Sequence, residues 1–362
     1  MEKSNIPNLD RRYSDIFQKG ENRKRRFEIR KYPVHIYLII FLTLLSLGLL
    51  ITIFIISRGK TSGNEDFNAE RRLPEKHQLI SPLLDCAEES DETISANRLK
   101  NLVEKYINES KSAGKASVVA VYYRDLNNGP WFGINSSTDF TPASLLKIPL
   151  MLTYFKLAEK DPSVLQQKIK NNAADTQEMY DSMNFKAEKQ LEPNADYTVE
   201  ELITRMIEYS DNVAYKILLD NVDKPKLQSI YEDFGIDISK GINNTSEDIL
   251  TLKDYSSFYR ILYNASYLNK DLSEKVLELL SKTTFNSGLV AKLPENTVVA
   301  HKFGERHFSG TNESQLHDCG IVYTADKNYI LCIMTKGTDF NNLIEVISNI
   351  SSQVYTYITE NK

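Results

Sequence analysis

Residues 143–147 read ASLLK and place Ser144 one helical turn before Lys147, on the same face of a predicted helix. The preceding Thr141-Pro142 is a typical helix start. The Ser144 hydroxyl is therefore expected at a helix N-terminus, where backbone N–H groups stabilise negative charge. In a dry cleft the pKa of Lys147 would fall, and its amine would accept the serine proton. The alternative is a helix cap beside a solvated lysine, but the apolar residues 148–151 favour the catalytic interpretation.

Two further short motifs follow in the chain. Ser210-Asp211-Asn212 begins 66 positions after Ser144 (210 − 144), and Lys302-Phe303-Gly304 begins 92 positions after Ser210 (302 − 210). The functional interpretation makes the Ser210 hydroxyl a proton relay and lets Asn212 hold Lys147 or a substrate amide. Lys302 would bind a substrate carboxylate, and Gly304 would let a substrate backbone approach the strand closely. The structural alternatives are a turn or cap at Ser210 and an ordinary strand-edge lysine at Lys302.

These motifs carry a resemblance to a known family. From about residue 80 to the C-terminus the chain resembles the class A β-lactamase-related, penicillin-recognising serine hydrolases, which carry S-x-x-K, S-D-N and K-T-G in this order. The family implies a β-lactamase/transpeptidase-like fold with an all-helical lobe beside a sheet. It also implies acylation of Ser144 by a β-lactam or a peptidoglycan stem peptide, assisted by Lys147, Ser210 and Lys302. No metal or organic cofactor is implied.

The chain departs from the family pattern in two places. Class A enzymes carry a Glu-x-x-x-Asn motif after S-D-N, and its Glu activates the deacylating water; no such motif occurs between Asn212 and Leu252. Glu247 lies at a suggestive distance, but residues 245–248 are better explained as the acidic first turn of a helix. Slow deacylation is therefore expected. The second departure is Phe303 in place of Thr or Ser, for which Arg306, His307 and His317 are candidate substitutes in binding a carboxylate.

Two other functions stay open. One is a D,D-peptidase, a carboxypeptidase or endopeptidase acting on peptidoglycan stem peptides. The other, from a different class, is a catalytically weak receptor that binds cell-wall fragments or β-lactams and signals through the N-terminal tail. The combination of Ser144, Lys147 and Ser210 favours an enzyme, because binding alone does not need a nucleophile, a base and a proton relay.

The N-terminal region predicts a membrane anchor. Residues 34–57 are 24 nearly continuous apolar positions without a formal charge, and about 20 such residues cross the hydrocarbon core. Residues 1–33 carry ten Lys or Arg against five acids, which predicts a basic cytoplasmic tail by the positive-inside rule. Residues 58–77 are interpreted as a linker, and residues 78–362 as the hydrolase domain. The expected location is the cell membrane, single-pass, with the hydrolase domain extracytoplasmic.

Charge and cysteine content limit the other possibilities. The whole chain has a formal net charge of −5, and the tail contributes +5 (10 − 5), which leaves about −10 for residues 58–362. An acidic domain of this kind is a poor nucleic-acid binder. The three cysteines, Cys86, Cys319 and Cys332, allow one disulfide with one thiol left over, or none.

The hydrophobic pattern predicts an α+β fold. A helix is expected over residues 95–108, strands over 117–123 and 131–134, and a helical block over 145–282. Strands return at 298–303, 320–324 and 329–335, and an amphipathic helix closes the chain over 341–358. Both chain ends would thus build one antiparallel sheet flanked by terminal helices, with an all-helical lobe inserted between them. One transmembrane helix would precede this domain.

Overall fold

A five-stranded antiparallel sheet built from both ends of the domain carries the fold. The computed structural model describes residues 71–72, 78–81, 83–85, 94–127, 129–172, 176–181, 183–186, 189–236, 248–325 and 327–360. The strands are β1 (Val118–Asp125), β2 (Trp131–Ile134), β3 (Val299–Phe308), β4 (Glu313–Val322) and β5 (Tyr329–Gly337). They lie in the order β2-β1-β5-β4-β3, so that β3 forms one edge.

Helices cover both faces of this sheet. The terminal helices are α1 (Ile94–Ser112) and α9 (Phe340–Glu360). The helical lobe between β2 and β3 contains α2 (Lys147–Ala158), α3 (Thr176–Asp181), α4 (Val199–Glu208), α5 (Asn212–Asn221), α6 (Lys224–Asp233), α7 (Leu252–Tyr263) and α8 (Lys270–Ser281). Two short 3₁₀ helices lie at Ala143–Leu146 and Pro162–Gln166. The predicted α+β arrangement with an inserted helical block is confirmed.

The alternation of β1 shows how the sheet divides the core. Val119, Val121 and Tyr123 belong to the apolar cluster formed with the terminal helices. Ala120 and Tyr122 belong to the second cluster, which continues into the helical lobe. Successive side chains of a strand point to opposite faces, and helices cover both faces here, so seven of the eight β1 residues are buried. The sheet is therefore the partition between two apolar cores.

The structure extends the predicted strands in one important region. The predicted strand 320–324 is in fact the end of β4, which begins at Glu313. Residues 313–318 are mostly polar and do not resemble a buried strand in sequence. Residues 314–318 are buried, and a remote segment provides hydrogen-bond partners for two of them: Thr141 N donates to Gln315 Oε1 at 3.1 Å, and His317 Nε2 lies 3.0 Å from Thr141 O. Polar side chains of β4 thus hold the segment that leads into Ser144.

Short strand pairs also interrupt the predicted all-helical block. Asp139–Phe140 pairs with Leu250–Thr251, and Lys168–Lys170 pairs with Asp196–Thr198. Outside the sheet and lobe, Arg71–Arg72 pairs with Leu83–Asp85. Each pair is too short to show the period-two pattern on which strand prediction depends.

One cysteine pairing is resolved. Cys319 on β4 and Cys332 on β5 are directly opposite each other and form a disulfide, with Cα atoms 4.0 Å apart. Cys86 lies outside the described residues. The sequence left this pairing open because it depends on strand register, which relates residues of different strands.

Several predictions fall on parts of the chain that the structure does not describe. These are the cytoplasmic tail 1–33, the membrane span 34–57, the linker 58–77 apart from Arg71 and Arg72, and the candidate base Glu247. Of the helices in the described ranges, none combines the length and the apolar character that crossing a membrane requires. All described residues belong to the unit that runs from Asp66 to Lys362.

Candidate active site

Ser144 and Lys147 lie at the start of the first lobe helix, as their spacing predicts. Ser144 is in the 3₁₀ turn Ala143–Leu146, which continues directly into α2 at Lys147. Lys147 is 1% exposed, and its Nζ lies 2.8 Å from Ser144 Oγ. The backbone before the serine is unusual, because Ala143 has a φ of 46° in the left-handed region, which is unfavourable for a residue with a Cβ. Ser144 is therefore held in contact with a buried amine at a strained turn.

The surroundings of Lys147 favour a neutral amine. Its Nζ lies 2.7 Å from Ser210 O and 2.7 Å from Asn212 Oδ1, and these two acceptors can take both N–H groups of a neutral amine. The lone pair is then left for the Ser144 hydroxyl. Burial lowers the pKa of Lys147 to about 7, against the opposing effects of Asp211 and Glu305. A buried lysine with this pKa is suited to accept a proton near neutral pH.

Ser210 occupies the turn between α4 and α5, where the second motif was expected to end a helix. Its φ is 53° and its side chain is 1% exposed. Asp211 fixes this turn as the N-cap of α5, accepting hydrogen bonds from Val213 N at 2.8 Å and Ala214 N at 3.1 Å. Tyr180 OH donates to the other carboxylate oxygen at 2.9 Å. The hydrogen bonds of Asp211 thus fix the turn that positions Ser210 and Asn212.

Lys302 approaches the same hydroxyl from β3. Its Nζ lies 2.8 Å from Ser210 Oγ and 3.1 Å from the carbonyl of Phe303. Ser210 Oγ is also 3.1 Å from Lys147 Nζ, so this single hydroxyl contacts both lysines. Lys302 is fully buried, and burial together with the charge of Lys147 places its pKa well below the ordinary value for lysine. Five of the six predicted site residues, Ser144, Lys147, Ser210, Asn212 and Lys302, are therefore brought into one constellation.

Gly304 lets β3 pack closely against the turn that carries Ser144. A Cβ at this position would lie 3.1 Å from Leu145 Cγ and 3.1 Å from Pro142 O. The close approach that Gly304 permits is thus between β3 and the turn that carries Ser144.

Comparison with known proteins agrees with this geometry. The sequence model of the beta-lactamase enzyme family matches residues 96–358. The chain belongs to the β-lactamase enzyme family. A curated relative, beta-lactamase VEB-1 of Pseudomonas aeruginosa, is 22% identical over 280 residues, which is 71% of this chain and 90% of the relative.

Solved structures of the family share the fold. One is a PBP-A mutant in an acyl-enzyme complex with penicillin G, with a TM-score of 0.60 and 19% identity over 75% of this chain and 98% of that one. Another is the TLA-3 extended-spectrum β-lactamase, with a TM-score of 0.62 and 20% identity over 72% of this chain and 98% of that one. The domain thus belongs to the β-lactamase enzyme family and shares the fold of its solved structures.

A cavity of about 300 Å³ opens in front of the serines of this β-lactamase-family site. It is lined by Ser144, Met183, Asn184, Ser210, Asn212, Phe303, Glu305, Arg306 and His307. Met183, Asn184 and Glu305 were not predicted. Residues 169–195 have no clear pattern in the sequence, and Glu305 carries no signal beyond its position three residues after Lys302.

The three candidate substitutes for the missing hydroxyl lie in different surroundings. Arg306 and His307 line the cavity, and His307 Nδ1 lies 3.0 Å from Ser314 Oγ. His317 is not among the lining residues. It is fully buried against Thr141, and burial lowers its pKa to about 4. His317 is therefore a neutral structural residue at physiological pH.

Proposed function

We propose that this β-lactamase-family protein is a serine hydrolase that forms an acyl-enzyme on Ser144 with β-lactams or related cell-wall peptides. The observation that carries the proposal is the 2.8 Å contact between Ser144 Oγ and the buried Lys147 Nζ. Nucleophile and base within hydrogen-bond reach are the geometry that nucleophilic catalysis needs.

In the proposed acylation, the neutral amine of Lys147 accepts the proton of the Ser144 hydroxyl as Oγ bonds to the substrate carbonyl carbon. The carbonyl oxygen becomes an oxyanion near the first turn of the helix, where backbone N–H groups lack intrahelical partners. The carbon–nitrogen bond then breaks. The leaving nitrogen takes its proton from Ser210 Oγ, which is reprotonated from Lys147 at 3.1 Å. Lys147 thereby returns to the neutral form.

Slow deacylation is part of the proposal. Residues 213–251 contain no Glu-x-x-x-Asn motif. Among the described residues that line the cavity, Glu305 is the sole carboxylate, and its Oε1 accepts hydrogen bonds from Asn184 N and Phe185 N at 3.0 and 3.1 Å. Because residues 213–251 lack this motif, and because the one carboxylate among the described lining residues is engaged through Oε1, the ester on Ser144 should persist.

The same missing motif favours a second candidate, a D,D-peptidase acting on peptidoglycan stem peptides. Such an enzyme shares the acylation step, but its acyl-enzyme with a β-lactam is long-lived, so that the β-lactam acts as an inhibitor. The two candidates differ in whether a β-lactam is turned over or retained.

Intact-mass spectrometry of the full-length chain during hours of incubation with a penicillin tests the proposal, with Ser144→Ala as control. An adduct of the mass of the drug that is absent in the mutant is expected, and its persistence favours the D,D-peptidase. An adduct that clears with release of hydrolysed drug favours a β-lactamase. Absence of any adduct and of any hydrolysis would contradict the acyl-enzyme proposal and favour a binding receptor.

The proposal also includes a location. Residues 34–57 are apolar and residues 1–33 are basic, which supports a single-pass anchor with a cytoplasmic tail and an extracytoplasmic hydrolase domain. Protease added to intact cells should degrade residues 78–362, and the anchor should resist extraction at alkaline pH. A chain that is protected in intact cells and released without detergent would contradict this location.

A further inference from the structure

The cavity has a second end that the catalytic proposal does not use. We call Phe303, Glu305, Met183 and Asn184 the β3 end of the cavity. Phe303 occupies the position at which the family pattern has Thr or Ser, and its ring stacks on Phe285 with centroids 4.0 Å apart. The ring of Phe185 packs edge to face against Phe303, with the two ring centroids 5.7 Å apart. The position is therefore filled by a packed aromatic ring that offers no hydrogen-bond donor.

Glu305 adds a carboxyl group at this end. Its side chain fastens the segment 183–186 to β3 through the two backbone hydrogen bonds to Oε1. Burial raises the pKa of the Glu305 carboxyl above its ordinary value, and the backbone hydrogen bonds from Phe185 and Asn184 oppose that shift. The other oxygen, Oε2, is buried and has no hydrogen-bond partner. A substrate carboxylate placed beside the ionised form of Glu305 would face a like charge, and the Phe303 ring offers it no hydrogen-bond donor.

The leaving group of a substrate must lie toward this end. Its nitrogen takes a proton from Ser210 Oγ, and Ser210 Oγ is 2.8 Å from Lys302 Nζ, the residue directly before Phe303. We therefore place substituents on the leaving atom on the side of the cavity that Phe303 and Glu305 line. Lys302 itself is fully buried, and its Nζ is already in contact with Ser210 Oγ and the Phe303 carbonyl.

We propose that Phe303 and Glu305 favour acyl donors with an uncharged leaving group over donors with a carboxylate beside the scissile bond, so that penicillins, which carry such a carboxylate, acylate Ser144 slowly. For cell-wall peptides, the preferred class is a chain that continues through an amide, as in an endopeptidase substrate, over a chain that ends in a free carboxylate. This inference rests on the proposed acyl transfer to Ser144.

Two thioester donors that share one acyl group test this selectivity on the full-length chain. The leaving groups are thioglycolate, with a carboxylate, and thioglycolamide, its uncharged isostere. In each reaction the Ser144 oxygen bonds to the carbonyl carbon, the carbon–sulfur bond breaks, and the serine proton leaves with the thiol. Released thiol is measured by its reaction with a chromogenic disulfide.

We expect kcat/KM for the amide donor to exceed that for the carboxylate donor by about tenfold or more at pH 7.5 to 8. Phe303→Thr and Glu305→Gln should each move the ratio toward one. Glu305→Gln is nearly isosteric, so it remains informative if Phe303→Thr disturbs the aromatic cluster. Glu278→Gln removes an exposed charge from α8 and should leave the ratio unchanged.

The results separate the inference from the function on which it rests. A wild-type ratio of one or below, or a ratio that neither Phe303→Thr nor Glu305→Gln changes, would overturn the selectivity. A preference for the carboxylate donor that Arg306→Ala removes would overturn it in favour of Arg306 as carboxylate ligand. If neither donor releases thiol in a Ser144-dependent way, the proposed function fails and the inference fails with it.

Discussion

The two ends of the cavity differ in the interactions that build them. At the lysine end, Ser144, Lys147, Ser210 and Asn212 form contacts of 2.7 to 3.1 Å between nitrogen and oxygen atoms. At the β3 end, an aromatic stack and one carboxylate take the place of a hydroxyl. The first end matches the motifs of the family and the second does not. Under the proposed function, the lysine end would determine the reaction and the β3 end would determine which substrates undergo it.

The largest expected effect comes from removing the base at the lysine end. Lys147→Ala should lower the rate of acylation by penicillin at least about 10³-fold, since a positioned general base contributes roughly 10²- to 10⁴-fold. A time course of intact mass measures this rate. Lys216→Ala, which removes an exposed lysine paired with Asp220 at 2.8 Å, is the matched control. A loss below tenfold would show that Lys147 is not the base.

The strand pair β3–β4 that carries the β3 end should contribute strongly to the free energy of unfolding. Asp318 lies opposite Phe303 in register and is fully buried; it contacts His301 Nδ1 and Leu289 N at 2.8 Å each. Asp318→Ala leaves these groups without a partner and should lower the free energy of unfolding by about 3 kcal/mol. Urea denaturation measures this free energy.

Glu109→Ala is the control, because Glu109 forms an exposed pair 4.0 Å from Lys105. It should change the free energy of unfolding by less than about 1 kcal/mol. Equal effects of the two variants would contradict the prediction.

Ser210 joins the two ends, because its hydroxyl contacts both lysines. Ser210→Ala should lower the acylation rate by about 10²-fold through loss of the proton relay to the leaving nitrogen. Ser281→Ala, whose hydroxyl donates to Glu278 O on α8, should have no effect. If Ser210→Ala acylates at the wild-type rate, the leaving nitrogen receives its proton by another route.

The pH dependence of acylation gives the smallest effect. The pKa of Lys147 is lowered to about 7 by burial, and only the neutral amine can accept the proton. The acylation rate should therefore be constant above about pH 7 and fall about tenfold for each pH unit below it. Circular dichroism at each pH controls for unfolding. A rate that is independent of pH between 5 and 8 would mean that Lys147 does not titrate in this range.

Much of the fold could be predicted from local pattern. The bounds of the terminal helices and of the strands at 118–125 and 131–134 lie within a few residues of the predicted ones. Their buried residues recur with the period of a helix or of a strand, which the sequence shows directly. The beginning of β4 could not be predicted. Its Gln315 and His317 are buried only because Thr141, far away in sequence, provides their hydrogen-bond partners.

The sequence by itself determined the pairing of Ser144 with Lys147. A spacing of three residues places Ser144 and Lys147 one turn apart on any helix, since backbone geometry sets that distance. Only the tertiary structure decided that Ser210 and Lys302 meet them, that Cys319 pairs with Cys332, and that Glu305 and Phe185 close the β3 end. These contacts join residues from separate elements, and their distances depend on how the whole core packs.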